Sequence, residues 1–194
     1  MPKILTRENF LARQAFFIAE IKKGKVFIYP TDTLHGLGAN AQDAKSIEKI
    51  SVLKKRFDKT FLVIAPSLKW ILENCVIPNE EIGALLSEKL PGPYSFILKL
   101  KNHEMLDPLI VRADLTIGIR LPNNWFSKII AESGIPFVST SINYTSEPSA
   151  KHFEDIPTNI LESVDYVIWD ETSSSGKAST IIDATSGTPK IMRK

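Results

Sequence analysis

Little of the usual catalytic apparatus is present in these 194 residues. Cys75 is the single cysteine, so no internal disulfide framework can form; this is typical of a reducing compartment, and a cytoplasmic location is expected. It lies in an apolar run and reads as core rather than as a nucleophile. The histidines, His35, His103 and His152, are scattered and with Cys75 give no metal-ligand spacing, so no protein-held metal is expected. There is no G-x-S-x-G elbow. Gly176-Lys177 lacks both the earlier glycine and the following Ser or Thr of a Walker loop. No run of about 20 apolar residues exists to span a bilayer. The stretch Met1–Glu8 has no apolar core and carries an early acid, which argues against a signal peptide. Excess charge of one sign is missing too. The formal net charge is +2, too near neutral to announce a nucleic-acid or membrane binder.

What is present describes a folded domain. Hydrophobic residues make up 43% and charged residues 24% of the chain, the balance of a globular protein. No repeat or low-complexity linker divides it, so a single domain over 1–194 is expected, burying roughly 70% of its unfolded surface. Helical spacing predicts helices over about 8–22, 43–54, 68–74 and 79–89, and one capped by Asn123 that reaches about Ser133. Strands are expected over 26–29, 61–65, 95–100, 116–120, 137–138, 166–168, 178–182 and 190–192. Interleaved helices and strands give an α/β fold. Some strand pairs have no helix between them, which predicts a mixed β-sheet flanked by helices rather than a purely parallel one.

The chain is organised around one stretch, Val26 to Gly38. Val26-Phe27-Ile28-Tyr29 suits a strand buried on both faces, and Pro30, with no N–H, ends it. Thr31, Asp32 and Thr33 follow at once, then Gly36 and Gly38, at the kind of strand end where an open α/β sheet receives a ligand. Gly36-Leu37-Gly38-Ala39-Asn40-Ala41 also fits the dinucleotide pattern G-x-G-x-x-A. Residues 31–35 intervene before the first glycine, however, and Asp58 precedes the next strand instead of ending it, so a nicotinamide-dependent oxidoreductase is a weak reading.

Lys54, Lys55, Arg56 and Lys59 crowd the end of the second helix. A helix C-terminus favours cations in any case, but such a group would also hold a triphosphate. Arg120 ends the strand at Thr116-Ile117-Gly118-Ile119-Arg120, as an ordinary surface arginine or as a carboxylate clamp. Ser139-Thr140-Ser141-Ile142-Asn143 is a run of hydroxyls at a strand end, which is also common turn chemistry. Ser179-Thr180 and Arg193 complete the candidates. Cations and hydroxyls without an obvious nucleophile or base suit phosphoryl or nucleotidyl transfer, where positioning and charge neutralisation supply most of the catalysis.

Six ordered motifs together resemble the YrdC-like family, the threonylcarbamoyl-AMP synthases, from about Arg13 to Arg193. They are Tyr29-Pro30-Thr31-Asp32-Thr33 with Gly36-Leu37-Gly38, Lys54-Lys55-Arg56, Pro91-Gly92-Pro93, Arg120-Leu121-Pro122, Ser141-Ile142-Asn143, and Ser179-Thr180-Ile181-Ile182-Asp183. His35, Phe57, Ser95 and Asn124 stand where the family usually has Tyr, Pro, Thr and His. The resemblance implies a YrdC-like fold, a twisted sheet with a concave, positively charged cleft, in the short form without an extra C-terminal domain. It implies a reaction in which ATP, bicarbonate and L-threonine give threonylcarbamoyl-AMP and pyrophosphate, with Mg²⁺ carried on the phosphates. Downstream tRNA threonylcarbamoyl-transferase proteins would be partners, with at most weak tRNA contact and no membrane.

By the same resemblance Lys54 and Arg56 are catalytic, neutralising the phosphates. Lys54, Arg56, Lys59, Thr116, Ser141, Asn143, Ser149 and Arg193 would bind ATP, and Thr31, Arg120, Ser139 and Ser179 would bind threonine. The rival from another class is an RNA-binding module of the same fold without catalysis. The cation cluster favours it; the net charge and the lack of aromatics among the basic residues do not.

Overall fold

The structure, a computed structural model, describes residues 2–56, 61–170, 172 and 174–194. In chain order the elements are β1 (Lys3–Leu5), α1 (Arg7–Leu11), α2 (Gln14–Lys22), β2 (Phe27–Tyr29), β3 (Gly36–Gly38), α3 (Ala44–Lys54), β4 (Leu62–Ile64), α4 (Leu68–Asn74), β5 (Cys75–Val76), α5 (Glu80–Lys89), β6 (Tyr94–Leu100), β7 (Thr116–Arg120), α6 (Trp125–Ser133), β8 (Phe137–Ser141), α7 (Thr158–Ser163), β9 (Tyr166–Ile168), β10 (Thr180–Asp183) and β11 (Lys190–Arg193). Polar side chains start the helices. Thr6, Asp43, Ser67, Asn79 and Asn124 each accept a backbone N–H of the first turn, satisfying a donor that has no partner inside the helix. No helix among the described residues is long and apolar enough to cross a membrane.

The strands join into one sheet in the order β1-β9-β2-β3-β8-β4-β7-β6-β10-β11, with β5 paired to β6. The sheet is mixed, as expected from strands that lack a helix between them. β2 runs antiparallel to β3 and parallel to β9, and β4 runs parallel to β7 and antiparallel to β8. Alternation along β2 sends Ile28 to one core, shared with Leu37, Val63, Ile117, Ile119 and Val138, while Phe27 and Tyr29 enter the other. β2 is thus buried on both faces. The second core is aromatic: Tyr29 stacks on Phe126 at 4.6 Å and Phe10 on Phe17 at 4.4 Å, beneath α1, α2 and α6.

Four expectations needed correcting. The first helix is broken at Ala12–Arg13 into α1 and α2, which lets Phe10 and Phe17, too far apart for one helical turn, meet face to face. Asn124 rather than Asn123 caps α6, because the Asn123 N–H is held by Asp32. The hydroxyls Ser139, Thr140 and Ser141 lie within β8 instead of after it. Gly36-Leu37-Gly38 is a strand rather than a loop. A Cβ on Gly38 would stand 1.9 Å from the Val138 carbonyl oxygen, so only glycine lets β2, β3 and β8 approach this closely.

Candidate active site

The register of the central strands builds a cavity. Residues paired across strands point to the same face. Gly36 pairs with Ser141, Leu62 with both Ser139 and Gly118, Gly118 with Ile97, and Ser95 with both Arg120 and Ile181. The alternate residues of β6, β7 and β8, namely Phe96, Leu98, Ile117, Ile119 and Val138, face the first core. The small and polar residues are therefore left on the face that carries the aromatic core. Where that core ends, the sheet forms the floor of a cavity of about 390 Å³, within the range of small-molecule sites. Gly118 keeps the floor low, since a Cβ there would meet Leu62 Cδ2 at 2.3 Å. Arg56, Arg112, Arg120 and Arg193 line the cavity together with Glu147.

Arg120 sits at the deep end, 5% exposed. Its Nη2 donates to Asp32 Oδ1 at 2.7 Å and to Thr33 Oγ1 at 2.9 Å. Burial pushes the guanidinium pKa below its ordinary value and Asp32 opposes the shift; arginine remains charged at any ordinary pH. The loop that carries Asp32 and Thr33 is tied from two sides. Asn124 Nδ2 donates to the Pro30 carbonyl at 2.6 Å, and the Gly176 N–H donates to the Thr33 carbonyl at 2.9 Å. Ser179 exchanges a 2.9 Å hydrogen bond with Ser95, and Arg193 Nη2 donates to the Ser179 carbonyl at 2.9 Å, pinning β11 to the wall. Arg120 Nε and Ser149 Oγ are buried with no hydrogen-bond partner among the described residues. Buried polar groups are normally paired, so these two mark where a ligand would supply acceptors and donors.

Of the residues singled out from sequence, Arg56, Arg120, Ser139, Ser141, Asn143, Ser149, Ser179 and Arg193 all line this one cavity. Lys54, Thr116 and Thr31 are not among the residues that line it. Lys54 is 1% exposed. Its ammonium donates to the carbonyls of Ser141 and Asn143 and, at 2.8 Å, to Asn143 Oδ1. Its three protons are thus spent on the Ser141–Asn143 turn and do not reach into the cavity. Burial and the neighbouring Arg56 push its pKa down to about 7; the three acceptors act the other way by satisfying the charged form. Thr116 Oγ1 donates to Asp114 Oδ1 at 2.6 Å, and Thr31 Oγ1 to the Leu34 carbonyl at 2.6 Å. Lys59 lies outside the described residues.

Sequence reasoning gave no role to several lining residues: Thr33, His35, Thr140, Arg112 and Glu147. Thr33, His35 and Thr140 lay inside stretches already singled out. Arg112 and Glu147 come from irregular loops where no periodicity marks an inward position. His35 is stacked at 3.9 Å on Trp169 and accepts the Asp170 N–H at Nε2, so it serves the wall as a packed ring.

The family profile described as "Telomere recombination", that of the Sua5, YciO and YrdC proteins, matches residues 19–194. A Methanocaldococcus jannaschii protein provisionally named threonylcarbamoyl-AMP synthase is 36% identical over 86% of this chain and 78% of its own. The Escherichia coli protein YciO is 30% identical over 90% of this chain and 84% of its own. Among solved structures, the H234A/Y235A variant of P. abyssi Sua5 superposes with a TM-score of 0.87 at 26% identity. It covers all of this chain, which spans only 60% of that protein's length. A second structure of P. abyssi Sua5, complexed with L-threonine, has a TM-score of 0.85 at 23% identity, covering all of this chain and 57% of that one. A profile matched over nearly the whole chain, two relatives at 30% identity or more and the same sheet make this chain a member of the Sua5/YciO/YrdC family.

Proposed function

We propose that the cavity binds ATP and L-threonine, and that the protein converts them with bicarbonate into threonylcarbamoyl-AMP and pyrophosphate. The observation that carries this reading is convergence. Arginines suited to phosphates, Arg56 and Arg193, and the polar side chains of Ser141, Asn143 and Ser149 share one cavity with Arg120, Ser139 and Ser179. The name of the M. jannaschii relative and the threonine bound by P. abyssi Sua5 support the same substrates. In the reaction the threonine amine takes up bicarbonate to give a carbamate and water. A carbamate oxygen then attacks the α-phosphorus in line, and pyrophosphate leaves with the P–O electron pair. No acid or base of the chain need form a covalent bond. What the site supplies is orientation and neutralisation of developing charge.

In this proposal Arg56 and Arg193 meet the phosphates, and Ser141, Asn143 and Ser149 orient the nucleotide, with Thr116 holding the loop beside it. Arg120 takes the threonine carboxylate, and Ser139 and Ser179 line the rest of that subsite, with Thr31 bracing the loop behind Thr33. Lys54 acts by holding the Ser141–Asn143 turn; Lys59 keeps its assignment to ATP. Among the described residues no group of three His, Cys, Asp or Glu side chains could hold a metal ion, so Mg²⁺ fits this site as a companion of the triphosphate, where it would add Lewis acidity. Transferase proteins that move the threonylcarbamoyl group to tRNA, in the cytoplasm, complete the proposal. A cavity of small-molecule size favours this reading over an RNA-binding module, which needs a long basic track with stacking aromatics.

Mass spectrometry of a reaction with ¹³C-bicarbonate tests the proposal. Threonylcarbamoyl-AMP carrying the label at its carbonyl is expected. AMP and pyrophosphate with no labelled adduct, under conditions where added threonylcarbamoyl-AMP survives, would overturn it.

A further inference from the structure

We propose that Asp32 is a positioning residue, which fixes the edge of the Arg120 guanidinium that a substrate carboxylate meets. The inference rests on the reading of Arg120 as the threonine clamp. Arg120 Nη2 has two protons. One goes to Asp32 Oδ1 at 2.7 Å and the other to Thr33 Oγ1 at 2.9 Å. The second acceptor is itself fixed. Thr31 Oγ1 spends its one proton on the Leu34 carbonyl and accepts the Thr33 N–H at 3.1 Å. The 2.9 Å contact between the two hydroxyls must therefore use the proton of Thr33, which leaves Thr33 Oγ1 able only to accept from Arg120.

Asp32 is gripped as well. Its Oδ2 accepts the Asn123 N–H at 2.9 Å, just after β7, the strand that Arg120 ends. One carboxylate thus spans the Arg120 side chain and the backbone three residues on. Rotating the guanidinium would strand a buried donor, a buried acceptor and a charge together, which is costly in a low-dielectric wall. What Arg120 still offers is its Nη1 amino group, which is not committed to Asp32 or Thr33, and Nε, buried with no hydrogen-bond partner among the described residues. A carboxylate in the cavity meets these donors in a preset orientation. Because Asp32 already balances the cation, geometry selects the ligand more than bulk attraction does.

Asp32→Asn tests this. It keeps the size and one acceptor oxygen but loses the charge and turns an NH2 towards one of the two donors that Asp32 now satisfies, Arg120 Nη2 or the Asn123 N–H. Steady-state kinetics of the purified protein should show the threonine KM raised roughly 10- to 100-fold, with the ATP KM changed less than two-fold. A merely structural role would instead lower the active fraction and kcat and leave both KM values in place. Should Asp32→Asn not fold, Thr33→Val removes the other acceptor of Nη2, and its threonine KM should rise several-fold with the ATP KM unmoved. A threonine KM within three-fold of wild type in the folded Asp32→Asn protein, or equal rises for both substrates, overturns the inference. A wild-type protein that does not use threonine at all overturns the reading of the site instead.

Discussion

At the scale of single residues, two charges buried in the same wall have opposite duties. Arg120 presents a donor to the cavity, whereas Lys54 turns all of its donors inward to the Ser141–Asn143 turn. For Arg120 the fork matters. Lysine keeps the charge but gathers its three donors on one nitrogen, and so loses the planar fork that bonds Asp32 and Thr33 through one amino group while facing a ligand with the others. Arg120→Lys should raise the threonine KM at least ten-fold and leave the ATP KM nearly unchanged, as read by varying each substrate in turn. For Lys54 the consequence is a pH dependence. Its folded pKa, about 7, lies below the ordinary lysine value of 10.5. Below pH 7 the ammonium is charged in both states and folding carries the full cost of burying it. Above pH 7 the folded state sheds its proton while the unfolded chain keeps it. Stability therefore rises with pH from about 7 towards 10.5, by at most about 1.4 kcal/mol per unit. Thermal melts of the ligand-free protein between pH 6.5 and 9 should show this rise. Lys54→Met should flatten it while lowering the melting temperature throughout, because it removes three hydrogen bonds to the Ser141–Asn143 turn.

At the scale of elements, the site depends on strands packed more tightly than side chains allow. The β2–β3–β8 contact tolerates only glycine at position 38. Gly38→Ala would drive a methyl into the Val138 carbonyl and the rings of Phe137 and Tyr29. A loss of more than ~2 kcal/mol in denaturant melts is expected, within the range of overpacked cores. The same feature limits what can be read from the chain. β6, β7 and the strand at 26–29 announce themselves by apolar or alternating residues, and Asp43, Ser67 and Asn79 mark helix starts through capping chemistry. β3 does not, because two of its three residues are glycines chosen for what they avoid. β1 escapes notice because Lys3-Ile4-Leu5 is short and largely exposed. Arg120, Ser139, Ser141 and Ser179 are legible as polar groups where apolar strands end. The role of Asp32 is not, because its partner lies 88 residues away. Lys54 is legible as a cation but not as a strut, since only the folded chain shows the turn that absorbs it.

At the scale of the molecule, one face of a mixed sheet is divided between an aromatic core and a cavity. The boundary runs through Arg120, which pairs in register with Ile64 of the aromatic core on one side and with Ser95 on the other. That arrangement gives a ligand a rigid floor and walls of arginine and hydroxyl. The central claim of the proposed reaction is that the substrates react with each other. Pyrophosphate release from ATP, followed with a coupled assay while threonine and bicarbonate are omitted in turn, tests this most directly. Release is expected only when both are present, with AMP appearing as threonylcarbamoyl-AMP breaks down. Release at the same rate without threonine would contradict the account.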